Sequence, residues 1–141
     1  MSGTDDKALR DAYLDTIYRV NAEPQPIDIR IGERNAALDE LMRANSAVEW
    51  AFVTASNPHS RVLSEHDNTQ RNTELKRSLE QAGWPTLDGV GLPCKADWQG
   101  EQSVLILGID RDAAIALARY WEQNAIVYGV AGSPAELVWL T

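Results

Sequence analysis

The sequence predicts an α/β (α+β) protein built on a single mixed β-sheet with three to four helices packed on it. Three observations carry this. Short runs of β-favouring residues alternate along the chain with stretches whose apolar residues repeat at helical spacing. Gly and Pro punctuate the joins, at Pro24 and Pro26, at Pro58, at Gly83-Trp84-Pro85 and at Gly132-Ser133-Pro134. The length of 141 residues, with 44% hydrophobic and 24% charged residues, is the size and mixture of one globular domain.

Residues 5–14 read as a short amphipathic helix with Ala8, Leu9, Ala12 and Tyr13 on one side. Residues 16–20 read as a strand, 22–26 as a turn and 27–31 as a second strand. In that strand Ile27, Ile29 and Ile31 alternate with Asp28 and Arg30, the pattern of a half-buried edge or hairpin. A helix over 34–46 buries Ala37, Leu38, Leu41, Met42 and Ala44. Residues 50–55 are nearly all apolar, as a central strand covered on both faces requires. After Pro58 and a polar loop, Ser64 and Asp67 form a capping pair that opens a helix running to about Ala82. Residues 84–100 carry three Gly and two Pro and are expected to be an irregular hairpin or long loop. SVLILGI at 103–109 is the clearest buried strand. Asp110 caps a helix with the stripe Ala114, Leu117, Ala118 and Trp121, and strands over 125–130 and 136–140 complete the chain. The order is α-β-β-α-β-α-(β)-β-α-β-β. The units at 50–109 and 103–130 are candidate right-handed crossovers. Residues 1–15 are expected to form a helical extension and 16–141 one α/β domain.

Charge and composition exclude several function classes. A net charge of -8 opposes wrapping by a nucleic-acid phosphate backbone, so no nucleic-acid partner is expected. The single cysteine, Cys94, rules out an internal disulfide and a Cys-based zinc site. No apolar run approaches the ~20 residues of a membrane span, and the charged opening MSGTDDKALRDAYLD lacks a signal-peptide core. A cytoplasmic protein with no membrane contact is the expectation.

The stretch Thr54 to Ser60, followed by Asn68, Arg71 and Asn72, holds the candidate chemistry. It lies where a buried strand ends and a helix begins, the usual place for ligands in α/β sheets. The inward stripe of that helix is Asn68, Asn72, Leu75, Leu79, Ala82, apolar in its second half and amide in its first. Asparagine is a poor interior helix residue. Either the first turns project into water, or they line a polar cavity beneath the Asn57-Pro58 loop. Residues 61–77 hold four basic and three acidic side chains, the least repulsive region for an anion. His59 and His66 with Glu65 or Asp67 match no metal-ligand spacing, and a Ser-His-Asp triad from Ser60 or Ser64 lacks the G-x-S-x-G turn. No G-x-x-x-x-G-K-[ST] or G-x-G-x-x-G motif is present. Neither metal nor cofactor is expected, and no catalytic residue is assigned.

WAFVTASNPHSRVLS at 50–64, then Asn68, Arg71 and Asn72, the strand EQSVLILGI at 101–109, the QNAIV segment at 123–127 and the IRIG segment at 29–32 together resemble the bacterial domain-of-unknown-function family 3293 over roughly 16–140. The resemblance implies recurring polar positions at Arg30, Thr54, Asn57, Ser60, Ser64, Asn68, Asn72, Glu101, Ser103 and Gln123. His59 and Asp67 depart from the family pattern, which argues against a histidine-based site.

Two functions of different class follow. The first is a domain binding a small polar or anionic ligand through Arg30, Thr54, Asn57, Ser60, Asn68, Arg71, Asn72 and Gln123, with amides fixing orientation and Arg71 pairing with a carboxylate or phosphate. The second is an accessory module contacting an unknown protein through the 84–100 segment with Trp84 and Trp98.

Overall fold

The computed structural model describes residues 3–94 and 100–140. The chain forms α1 (Gly3–Asp15), β1 (Ile17–Val20), β2 (Ile27–Ile29), α2 (Ala36–Ala44), β3 (Glu49–Val53), a 3-10 turn (Pro58–Ser60), α3 (Glu65–Ala82), β4 (Thr86–Leu92), β5 (Glu101–Leu107), α4 (Arg111–Tyr120), β6 (Ala125–Val130) and β7 (Glu136–Trp139). This is the expected order, with the bracketed strand present as β4.

The seven strands make one sheet in the order β2-β1-β4-β5-β3-β6-β7. Neighbouring strands are all antiparallel, and the parallel contact is an isolated bridge from Ile31 to Ala135. The crossover expected over 50–109 is corrected by the structure, because its end strands β3 and β5 pair antiparallel and α3 leads instead into β4, whereas the 103–130 unit does join parallel strands. β3 and β4 run parallel with β5 between them, and β5 and β6 run parallel with β3 between them. Two interleaved split β-α-β units of this kind are the ferredoxin-like arrangement, here widened by β1 and β2 on one side and β7 on the other.

The sheet is curled, so that the chain just beyond β2 meets the start of β7 at Ile31 and Ala135. Side chains alternate between two cores. Ala51, Val53, Val104, Ile106, Ile126 and Val138 face outward against Leu75 and Leu79 of α3 and Ala114, Ala118 and Trp121 of α4. Trp50, Phe52, Leu105, Leu107 and Val127 face inward with Tyr18, Val20, Ile27 and Ile29, and α2 seats Leu38 and Met42 among them. β3 is thus buried on both faces, as its unbroken apolar run predicted.

Residues 86–92, expected to be irregular, are a central strand. Its glycines are packing devices. A Cβ on Gly89 would stand 2.7 Å from the Phe52 ring and 2.9 Å from the Arg19 carbonyl, whereas one on Gly91 would meet nothing nearer than 3.9 Å. The Trp98 part of the expected loop lies outside the described residues.

The caps follow the sequence. Ser64 Oγ accepts from the Asp67 N–H at 3.0 Å, Asp110 Oδ1 accepts from Ala113 at 2.7 Å, and Gly83 ends α3 at φ 87°. α1 covers the end of the inner face away from α2. Its Tyr13 ring meets Trp139 of β7 edge-on at 5.9 Å, Arg10 lies 5.3 Å over the same indole, and the Tyr18 hydroxyl donates to the Tyr13 carbonyl.

Candidate functional site

Between Val53 and Glu65 the chain must leave the central strand and enter α3, and it does so through strained backbone. Asn57, His59 and Ser60 take φ of 47°, 50° and 63°, each in the left-handed region where non-glycine residues are uncommon. A loop in such conformations persists only when its surroundings hold it. Here the amides do so. The Asn72 carbonyl oxygen accepts from the Ala55 N–H, and its amide group donates to Ser56 Oγ. Asn68 accepts from the Asn57 N–H and donates to the Asn57 side chain, which in turn accepts from Leu63 N–H. Arg71 donates to the carbonyls of Ala55 and Trp121 at 2.6 and 2.8 Å and lies over the Trp121 ring. Gln123, 6% exposed, donates to the Ser56 and Trp121 carbonyls. Among the described residues no buried side-chain nitrogen or oxygen lacks a partner.

The eight residues expected to bind ligand therefore separate. Asn72, Arg71 and Gln123 brace the loop from behind, each bonded to its backbone, with Asn72 also on Ser56 Oγ and Arg71 and Gln123 also on the Trp121 carbonyl. Arg71 has Glu122 3.6 Å away as a further partner. Thr54, Asn57, Ser60 and Asn68 line a cleft on the other side of the loop. Arg30 joins neither group: it follows the sheet-edge strand β2, exposed, with its carbonyl accepting from Glu33. The IRIG pattern gave no information about which end of the sheet it would occupy.

The cleft measures about 770 Å³ and lies between α1, the loop and the inner face of the sheet. Leu9, Ala12 and Tyr13 of α1 form one wall, Tyr18, Phe52, Gly91 and Val127 the floor, and Val62, Leu63 and Glu65 part of the rim. The lining contains Glu101, which sequence reasoning reached only through the family resemblance. Asn57 Nδ2 donates to Glu101 Oε2 at 2.7 Å, so the strained loop is tied directly to this carboxyl. Burial pushes the Glu101 carboxyl above the usual carboxylate range, and the Asn57 hydrogen bond partly opposes the shift. Burial, and then the charge of Glu101, push the Tyr13 phenol up to about 12, while its hydrogen bond with Ser60 pulls the other way. Ser60 Oγ also accepts from Asn124 Nδ2 at 2.7 Å. The signal that could have found Glu101 is its place: an acidic residue opening a central strand whose second half, Val104–Leu107, is wholly apolar.

The histidines stand apart from this site. His59 is exposed and its Nε2 lies 4.0 Å from Glu122, while Ser64 serves as the α3 cap. Among the described residues no three His, Cys, Asp or Glu side chains gather as a metal site would need. No helix among them is long and apolar enough to cross a membrane.

A family model described as "Protein of unknown function (DUF3293)" matches residues 53–126, just over half of the chain. The chain belongs to that family. The matched segment runs from the end of β3 to the start of β6, so it contains the loop, α3, Glu101 and Gln123. Arg30 and all of α1 fall outside it, and it is narrower than the 16–140 over which the sequence resembles the family. Neither the search of curated proteins nor that of solved structures returned a match.

Proposed function

We propose that this domain binds a small polar molecule in the cleft between α1 and the inner face of the sheet. One observation carries the reading: a cleft of about 770 Å³, the size of many ligand pockets, whose polar rim is a strained loop locked by a connected amide network. Such a network costs conformational freedom and helix propensity, and fixing Asn57, Ser60 and Glu101 in place for a ligand accounts for that cost. The ligand is neutral or cationic, because Glu65 and Glu101 line the cleft and no Lys or Arg does so among the described residues. The accessory-module reading is weaker, since Trp84 packs against the outer core and β4 lies inside the sheet.

Benzyl alcohol and nicotinamide are suitable neutral probes. Each should perturb the backbone amide NMR signals of Tyr13, Ser60 and Glu101. Gly91→Val projects a side chain into the cleft at a position with room for its Cβ, so it should abolish those perturbations without lowering the melting temperature. Perturbations that map elsewhere, or that survive in Gly91→Val, would overturn the proposal.

A further inference from the structure

The cleft places one carboxyl among aromatic rings. Glu101 sits on the inner face at the start of β5, with Tyr13 reaching it from α1, Tyr18 from β1 and Asn57 from the loop. Among the described residues its side chain receives one hydrogen bond, from Asn57. A carboxylate offers about four lone-pair sites, so most of its accepting capacity is open to a guest. Phe52 and Tyr18, packed edge to face at 5.4 Å, floor the same space with apolar surface. Arg10 of α1 is held over Trp139 instead.

We propose that the cleft takes a small organic cation, an ammonium carried on an apolar body, with the Glu101 carboxylate as its counter-ion. This rests on the cleft being the binding site. The ammonium reaches Glu101 and Ser60 Oγ as acceptors, Asn57 Oδ1 being already taken by Leu63 and Asn68, while the rings of Tyr13, Tyr18 and Phe52 receive the apolar body and attract positive charge through their faces. A half-buried carboxylate without a cation disfavours its own charged form, which agrees with the upward shift of Glu101. A cationic guest reverses that penalty, whereas an anion would add to it. The titratable groups facing Glu101 are Tyr13 and Tyr18, both neutral at physiological pH, with Glu65 at the rim.

Benzylammonium and its neutral counterpart benzyl alcohol separate this inference from the reading beneath it. At pH 8 benzylammonium should bind about tenfold or more tighter than benzyl alcohol. Its affinity should fall as pH drops through the Glu101 range, starting above the usual carboxylate values, because only the ionised carboxylate attracts it. Glu101→Gln should erase the preference, so that benzylammonium binds no tighter than benzyl alcohol. Should Glu101→Gln not fold, the pH titration of the unaltered protein still decides. Benzyl alcohol binding in the cleft as tightly as benzylammonium, a preference that survives in Glu101→Gln, or a pH-independent affinity would overturn the inference while leaving the cleft reading intact. If neither probe perturbs the cleft, both fall together.

Discussion

The two halves of α3 solve the same packing problem by opposite means. Leu75 and Leu79, in its second half, enter the outer core at 1% and 3% exposure and hold the helix to the sheet through apolar burial. Asn68, Arg71 and Asn72, in its first half, lie on the same side of the helix and are also partly buried, yet hold a loop through directed hydrogen bonds. Apolar burial tolerates small shifts of its partners; hydrogen bonds specify position and angle. The helix is therefore anchored by its second half and acts as a template for the 54–63 loop with its first. That loop forms one side of the cleft.

The sharpest way to break this division is to remove a side chain from each half. Leu75→Ala, by opening a cavity in a fully buried site, should cost about 2–5 kcal/mol, measured by chemical denaturation. Asn72→Ala should cost about 1–3 kcal/mol, because it leaves the Ala55 N–H without its partner. Its structural effect should be confined to the loop, visible as amide exchange gained at 55–60 with none gained in β5. If Asn72→Ala proves neutral, as for a solvated helical Asn, the template idea fails. Ser64→Ala removes the cap where loop and helix join and should cost about 1 kcal/mol.

The smallest expected effect concerns pH. Because the folded-state pKa of Glu101 is raised, the native protein holds this proton to higher pH than the unfolded chain. Its contribution to stability is therefore fully present below the unfolded carboxylate range. It is lost as pH rises from that range through the folded value. Glu101→Gln should flatten this part of the stability-pH profile without changing the cost of Leu75→Ala. A steeper fall with pH in Glu101→Gln would show that the carboxyl has been given the wrong sign.

Periodicity made most of the fold legible. Element order, the caps at Ser64 and Asp110, and the burial of β3 on both faces all follow from local chemistry, because each concerns residues near one another in the chain. β4 was not legible. Its glycines carry turn statistics, and the Phe52 ring that requires Gly89 is 37 positions away in sequence. The inserted strands of the two split units were hidden for the same reason, since strand order depends on long-range pairing. In the candidate site, the break between amide and leucine along α3 pointed to the loop, and Asn57, Ser60 and Asn68 do reach the cleft. What the pattern could not reveal was direction: Arg71, Asn72 and Gln123 each bond to the loop's backbone rather than lining the cleft. That Arg30 lies outside the cleft was not legible, because an alternating strand reports its faces and not its neighbours.

The interleaving of the two split units also bears on how the chain matures. β3 is complete by residue 53, yet both of its neighbours, β5 and β6, are made later, the second ending at residue 130. At the usual 5–20 residues per second, the wait from residue 53 to the end of β5 at residue 107 lasts roughly 3–11 s. During that interval Trp50 and Phe52 are part of a nascent segment without strand partners, while β1 and β2 can already close their hairpin. An apolar strand left open in this way is the kind of segment that ribosome-associated chaperones shield. The dependence of soluble yield on such chaperones should therefore follow the hydrophobicity of residues 50–53 rather than that of the more local hairpin.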